Sequence, residues 1–458
     1  MARSREHGGI QPGWKWGPFT ARIPFIHTRF SAPELVQGII IASATGFALV
    51  PIMTNFFGLT FEEAIAASLM SSIAITMSWL LLGEPYAPGW ATPALPFALA
   101  FVVFGNIETP TERWHAMAAL CINLSAICLV FGVTGLGKLV MQYVPNALKA
   151  GIILGASLAA VRSVIGFSTD EFQETNFAVQ PITTSIAIAI CLITTFSIPF
   201  QKLAIRFRPL ALVASLGLLP GFLVAAMVGP FVGEVSYDIE WGILIPPIAS
   251  LWEKASPFYI GWPSFTMFLQ CLPLAFICYI VIFGDLITGN QLIKEAQLER
   301  PDETIEINTT RSHLALSIRN AFIALMAPFF PTQGVLWTGV QVVILKRWRE
   351  GRQVMDSLFD GISAYYIFAL PIVFFILPLV TGLRPLMGIA LDLTLALTAF
   401  ACAYVAISMT RNHTEQGVVV ITGASLALFP PLEGLLIGLG ACLLLIGYEG
   451  PDKEVDTT

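Results

Sequence analysis

The chain has 458 residues, of which 56% are hydrophobic and 12% charged, with a formal net charge of −6. Soluble domains carry roughly 25% charged residues, so this composition excludes an ordinary soluble globular protein. Charge-free stretches at 35–61, 64–83, 85–107, 114–137, 175–201, 209–233, 255–284, 320–345 and 361–383 each reach the ~20 apolar residues that span a bilayer as a helix. The ~10-residue alternating pattern of a membrane barrel is missing. The fold class read from this is an all-α polytopic membrane protein, with the lipid bilayer as its first partner.

Residues 1–32 are polar and aromatic and show no cleavage pattern, which predicts an N-terminal tail and not a removable signal peptide. About fourteen apolar segments follow, beginning near residues 33, 63, 91, 115, 147, 180, 209, 271, 312, 333, 360, 386, 416 and 432. If each crosses and the N-terminus is cytoplasmic, 20 of the 24 Lys and Arg fall on the cytoplasmic side. That bias predicts a multi-pass protein of the cell (inner) membrane with both termini inside. An acidic connection at 234–263, carrying Glu234, Asp238, Glu240 and Glu253, divides the chain into halves at 33–233 and 264–448. A short C-terminal tail, 449–458, completes the organisation.

In each half a proline-broken segment is followed, at nearly equal distance, by a helix that opens with proline. Pro93 precedes Pro145 by 52 residues and Pro331 precedes Pro385 by 54. With seven segments per half, the second copy is inverted relative to the first. A 7+7 inverted repeat with interrupted segments at matching places is the mark of a secondary transporter.

The breaks themselves are Pro85-Tyr86-Ala87-Pro88-Gly89-Trp90-Ala91-Thr92-Pro93-Ala94-Leu95-Pro96 and Ala327-Pro328-Phe329-Phe330-Pro331-Thr332-Gln333-Gly334. Proline removes backbone donors and forbids regular helix, and irregular backbone at membrane depth survives where it lines a cavity or is buried. Two half-helix starts would then aim their amides at one centre suited to an anion or a polar carbonyl. Loops at the membrane surface are the plainer alternative. Asp285, in LPLAFICYIVIFGDLITGN, lies deep in a span, where an acid is costly to insert charged and is a functional candidate. Helical spacing puts Thr288 on its face. Asp392, the other embedded acid, is equally compatible with a structural bond. Arg319 is read as snorkelling to the cytoplasmic surface, and Glu433 as a capping carboxylate.

Soluble-enzyme motifs are missing: there is no Walker loop, GxSxG or HExxH. His7, His27, His313 and His413 fall in polar flanks, and the seven cysteines sit in apolar stretches without metal spacing. The reading is therefore not an enzyme, with no cofactor, no metal and no nucleic-acid partner.

These segments resemble a known superfamily. Pro145, Gly151 and Gly155 in VPNALKAGIILGASLAA, then Asn320, Pro331 and Gly334 in IRNAFIALMAPFFPTQGVLWTG, and Asp285 in FGDLITGN are similar to motifs of the nucleobase/ascorbate, AzgA-like purine and sulfate permeases, with their uracil-permease-like fold. The resemblance implies core and gate domains working as an elevator, usually in a homodimer. It implies a small-molecule or anion substrate held by Thr92, Ala94, Asp285, Thr288, Thr332, Gln333, Gly334, Trp337 and Thr338, with H+, or Na+, as coupling ion and Asp285 as the proton-coupling acid. Where nucleobase permeases carry a tenth-helix Glu and many sulfate permeases an Arg, this chain offers Trp337 or Thr338. A nucleobase taken by proton symport is the first expectation. An inorganic or carboxylate anion, coupled or through an uncoupled uniporter, is the alternative.

Overall fold

Capping side chains fix where the long helices begin. Thr60 and Glu63 form a reciprocal capping box at the start of α3 (Phe61–Leu80), and Thr109 and Glu112 form another at α5 (Pro110–Thr134), each occupying amides that a helix start leaves without partners. Before α3 come α1 (Ala32–Thr45) and α2 (Val50–Phe56), separated by a turn at 46–49. Between α3 and α5 lies α4 (Leu95–Val102), which is preceded by the two-residue strand β3 (Gly89–Trp90) and a 3-10 turn, Thr92–Ala94. The chain continues through α6 (Asn146–Ile165), α7 (Pro181–Phe196), α8 (Leu219–Val232), α9 (Phe265–Gln297) and α10 (Thr309–Met326). It ends with β4 (Gln333–Gly334), α11 (Thr338–Arg349), α12 (Leu358–Ser363), α13 (Met387–Ser408), α14 (His413–Leu428) and α15 (Pro431–Ala441). The computed structural model describes residues 5–447 except 104, 106, 174, 215 and 329–331. Pro331 and the tail at 449–458 therefore lie outside the described residues.

A helix starts within a few residues of all fourteen expected segment starts. Among the described residues, however, seven helices are long and apolar enough to cross a membrane alone, or eight if the pair Pro181–Phe196 and Ile198–Arg206, bent by 60°, counts as one. The expectation of fourteen crossings is thus met only in part. Proline and glycine cut several segments short: Thr92–Val102, Leu219–Val232 and Pro431–Ile446 remain as shorter apolar helices. The protein is an all-α, multi-pass membrane protein, and its only strands are two-residue and three-residue pairs among the described residues.

The helices pack in two groups. In one, α5 lies on α9 and α10, α3 on α10, and α9 on α11; in the other, α6 lies on α13 and α14, and α7 on α8 and α13. Small residues bring the second group close. A Cβ on Gly151 would meet Thr422 at 2.5 Å and one on Gly155 would meet Leu426 at 3.0 Å, so the GxxxG spacing of α6 lets α14 approach as only hydrogen allows. All seven cysteines are buried and free. Two histidines expected in polar flanks are buried instead: His27 lies inside the N-terminal segment, and His313 bonds the Tyr279 hydroxyl at 3.0 Å across α9 and α10.

The N-terminal segment is a strap across one end of the first group. Its hairpin, β1 (Trp14–Trp16) with β2 (Phe19–Ala21), hydrogen-bonds the end of α3 through Trp16 Nε1 to Leu81 O at 2.8 Å. Arg22 stacks its guanidinium 3.8 Å over Phe359. Arg5 is buried between Asp302 at 2.5 Å and Asp356 at 2.9 Å, which fastens the strap to the ends of α9 and α11. The Arg300 guanidinium bonded to Asp302 holds that carboxyl below its ordinary 3.8 against the opposing effect of burial. Burial pushes Asp356 up, but its bonds to Arg352 and Arg5, with Arg29 nearby, leave it below 3.8 as well. Folded values lowered in this way give stabilisation that is complete above the unfolded value and lost as pH falls through the folded one. Glu303, pushed up by burial, has the opposite sign and softens the change. Amide hydrogen exchange, corrected for intrinsic rate, should show residues 5–22 equally protected at pH 7 and 5 and loosened only below pH 3.8; loosening already at pH 5 would contradict this.

Candidate functional site

The two broken segments meet. β3 and β4 pair antiparallel, Gly89 opposite Gly334 and Trp90 opposite Gln333, and the Ala91 amide donates to Thr332 O at 3.0 Å and that of Trp337 to Ala87 O at 2.8 Å. From this junction the Thr92–Val102 segment and α11 lead away, and neither start has a side-chain cap. First-turn amides of α11 have no intrahelical acceptor, whereas in the Thr92–Val102 segment Pro93 and Pro96 carry no N–H and the Ala94 and Leu95 amides donate to Ala91 O and Thr92 O.

A cavity of about 210 Å³ lies against the junction. Ser68 and Ser72 of α3, Thr92, and the indoles of Trp90 and Trp337 form one wall, while Leu391, Thr394 and Thr398 of α13 face them from the second helix group. No acid lines it. The Ser72 hydroxyl oxygen is itself buried and has no hydrogen-bond partner among the described residues, whereas Ser68 and Thr394 donate to carbonyls one turn back. The cavity thus offers indole walls, hydroxyls and the uncapped start of α11, a lining that can donate hydrogen bonds without presenting a carboxylate among the described residues.

Of the residues expected in the site, the structure places Thr92 and Trp337 in the cavity wall. Ala94, Thr332, Gln333 and Gly334 are buried behind it. The Gln333 side chain is already engaged, accepting from Arg319 at 2.9 Å and donating to Ser71 Oγ at 3.1 Å, which leaves it no free group for a solute. Thr338 is exposed beyond the wall. Asp285 does not line the cavity. It is half-buried on α9, in electrostatic reach of Cys402, which follows Thr398 by one turn of α13. Thr288 bonds the Gly284 carbonyl at 3.0 Å, and with Gly284, Gln291 and Glu295 it forms an exposed polar stripe on α9.

Three further expectations are corrected. Arg319 does not snorkel: it is 1% exposed and donates to Ala74 O, Gly334 O and Gln333 Oε1, each at 2.9 Å. The acceptors at the break outcompete the surface for it. Glu433 is exposed in the first turn of α15 without making a cap bond. Asp392 is buried, and neither of its oxygens has a hydrogen-bond partner among the described residues, so the structural bond considered for it is not formed. Ser72 was missed by sequence reasoning. Its signal is the hydroxyl run Ser68, Ser71, Ser72, Thr76, which shares one face of α3 at helical spacing.

No protein-family model matches the chain and no curated protein matches it. Solved structures do. A structure titled as the overall structure of SLC26A9 superposes with a TM-score of 0.53 at 15% identity, over 90% of this chain and 64% of that one; this chain therefore spans just under two thirds of its length. The mouse Slc26a9 anion transporter in the inward-facing state superposes with a TM-score of 0.52 at 15% identity, over 91% of this chain and 68% of that one. The transmembrane domain of a cyanobacterium bicarbonate transporter, BicA, gives a TM-score of 0.48 at 13% identity, over 91% and 99%. At such identity the likeness is one of fold: the chain is structurally similar to the two SLC26A9 structures.

Proposed function

We propose that the chain is a secondary transporter of a small inorganic or carboxylate anion, which binds in the cavity between the starts of the Thr92–Val102 segment and α11. The observation that carries this reading is the cavity lining, where hydroxyls and indoles meet the uncapped start of α11 and no carboxylate is present among the described residues. An anion accepts hydrogen bonds from such a lining and is favoured at helix N-termini. A nucleobase, the first expectation from sequence, also presents donors, and the acid expected to receive them, Asp285, is outside the cavity. The fold shared with a structure titled an anion transporter supports the same choice.

In this reading, 33–233 and 264–448 are the inverted repeats. The helix group of α3, α5, α9, α10 and α11 is the core that moves against the gate formed by α6, α7, α8, α13, α14 and α15. Asp285 carries a proton on the cytoplasmic side of the solute, beside the polar stripe of α9.

A thermal-unfolding series on the purified protein in detergent tests the proposal, because a ligand bound only by the folded state raises its stability, by about 2.7 kcal/mol at 100 times Kd. Sulfate, bicarbonate, chloride or a small carboxylate should raise the midpoint and nucleobases should not; stabilisation by a nucleobase alone would sink the anion reading. Asp285→Asn should keep anion binding within a few-fold while uptake into liposomes loses its response to a pH gradient. Wild-type coupling in that variant retires Asp285.

A further inference from the structure

Arg319 sits where a permanent positive charge could reach the solute without touching it. Its guanidinium, which is never neutral at physiological pH, is buried and spends its hydrogen bonds on three uncharged acceptors: the carbonyls of Ala74 and Gly334 and the side-chain oxygen of Gln333. No ion pair among the described residues includes it. The buried acid Glu84 lies in electrostatic reach of Arg319 but does not bond it, its oxygens being taken by Arg311 at 2.8 Å and by Ser312. A charge buried without a bonded counterion is expensive, and natural proteins retain one where something offsets it.

The hydrogen bonds lead from the guanidinium to the cavity wall in one layer. Arg319 donates to Gln333 Oε1, the same amide donates to Ser71 Oγ at 3.1 Å, and Trp90 Nε1 donates to that hydroxyl at 2.8 Å. Trp90 and the adjacent Ser72 face the cavity. The Asn320 side chain, bonded to both the amide and the carbonyl of Gln333, holds this layer rigid.

We infer that Arg319 is a specificity-determining residue: the fixed charge behind the junction of the two broken segments, for which a bound anion serves as the counterion. This rests on the anion reading above and adds to it the residue that selects charge. Selection acts through the field of the guanidinium across the layer of Gln333, Ser71 and Trp90, and a neutral solute of the same shape gains nothing from it.

The test adds a counter-charge without removing the arginine. Gln333→Glu places a carboxylate against Arg319, with the Ser71 hydroxyl donating where it now accepts, and Gln333→Met removes the same amide without adding charge. With the anion that best stabilises the wild type, Gln333→Glu should bind on the order of tenfold more weakly, the scale of a unit charge across one side chain at a protein's effective dielectric. Gln333→Met measures how much of that loss comes only from the broken bonds to Arg319 and Ser71, and Gln333→Glu should bind clearly more weakly than it. Both variants' unliganded unfolding midpoints are read alongside. Should Gln333→Glu not fold, Arg319→Lys against Arg319→Met asks the same question, with binding expected to follow the charge. A wild type that no anion stabilises overturns both the anion reading and this inference. A wild type stabilised by anion together with a Gln333→Glu that binds no more weakly than Gln333→Met overturns this inference alone.

Discussion

Gly334→Val is expected to abolish solute-induced stabilisation and reduce uptake to background. The reason is backbone and not side chain. A Cβ at Gly334 would lie 2.8 Å from the Ala91 amide nitrogen and 2.9 and 3.0 Å from the carbonyl carbon and oxygen of Trp90, atoms that cannot swing aside as a flexible side chain could. Valine therefore pushes β3 and β4 apart, and with them the two helix starts that share the cavity. The carbonyl that anchors Arg319 moves too. Overpacking of this kind costs about 1–3 kcal/mol, which an intact membrane bundle can survive, so the protein should still purify. Gly339→Ala is the matched control. It lies in the first turn of α11 with open space where its Cβ would go, and it should behave as wild type. If Gly334→Val retained solute binding, the strand pairing would be incidental to the site.

The contrast between these two glycines shows what the sequence carried and what it did not. Proline breaks at matching distances located both halves of the junction, because proline acts on its own backbone and needs no partner. The GxxxG of α6 was equally legible: residues four apart share a helix face, and small ones there signal close packing, which α14 supplies. Partner choice was not legible. Nothing local to Arg319 distinguishes a guanidinium that climbs to the surface from one drawn inward by the carbonyl of a strand fifteen residues later. Gln333 was expected to face a solute, and it faces that guanidinium. The depth of Asp285 in its span was evident from charge-free flanks, but its rotation about α9 depends on which helices pack on either side, a long-range property. Ser72 carried a local signal, the hydroxyl face of α3. It went unread because serine in an apolar stretch commonly bonds a carbonyl one turn back, as Ser68 does here.

Glu84→Gln should lower stability by about 3–5 kcal/mol, the usual result of leaving one member of a buried ion pair without its partner. Glu84 is 2% exposed and follows Gly83, beyond the end of α3 at Leu80, where the chain turns toward the first break. Its carboxylate accepts from Arg311 Nε at 2.8 Å and from the Ser312 hydroxyl, so it ties the entry of the break to the first turn of α10. Without the charge, Arg311 keeps a bond to the Glu306 carbonyl at 2.7 Å and the exposed Glu306 carboxylate 3.6 Å away. The double variant Glu84→Leu/Arg311→Met discriminates between two origins of the loss. If the penalty comes from an orphaned charge, removing both members restores most of the stability, since apolar replacements of buried pairs are often neutral or better. If the double variant is no more stable than Glu84→Gln, the pair's value lies in the specific tether between break and helix. The two outcomes separate in one set of unfolding curves, and anion-induced stabilisation measured on the same samples shows whether that tether also sets the cavity.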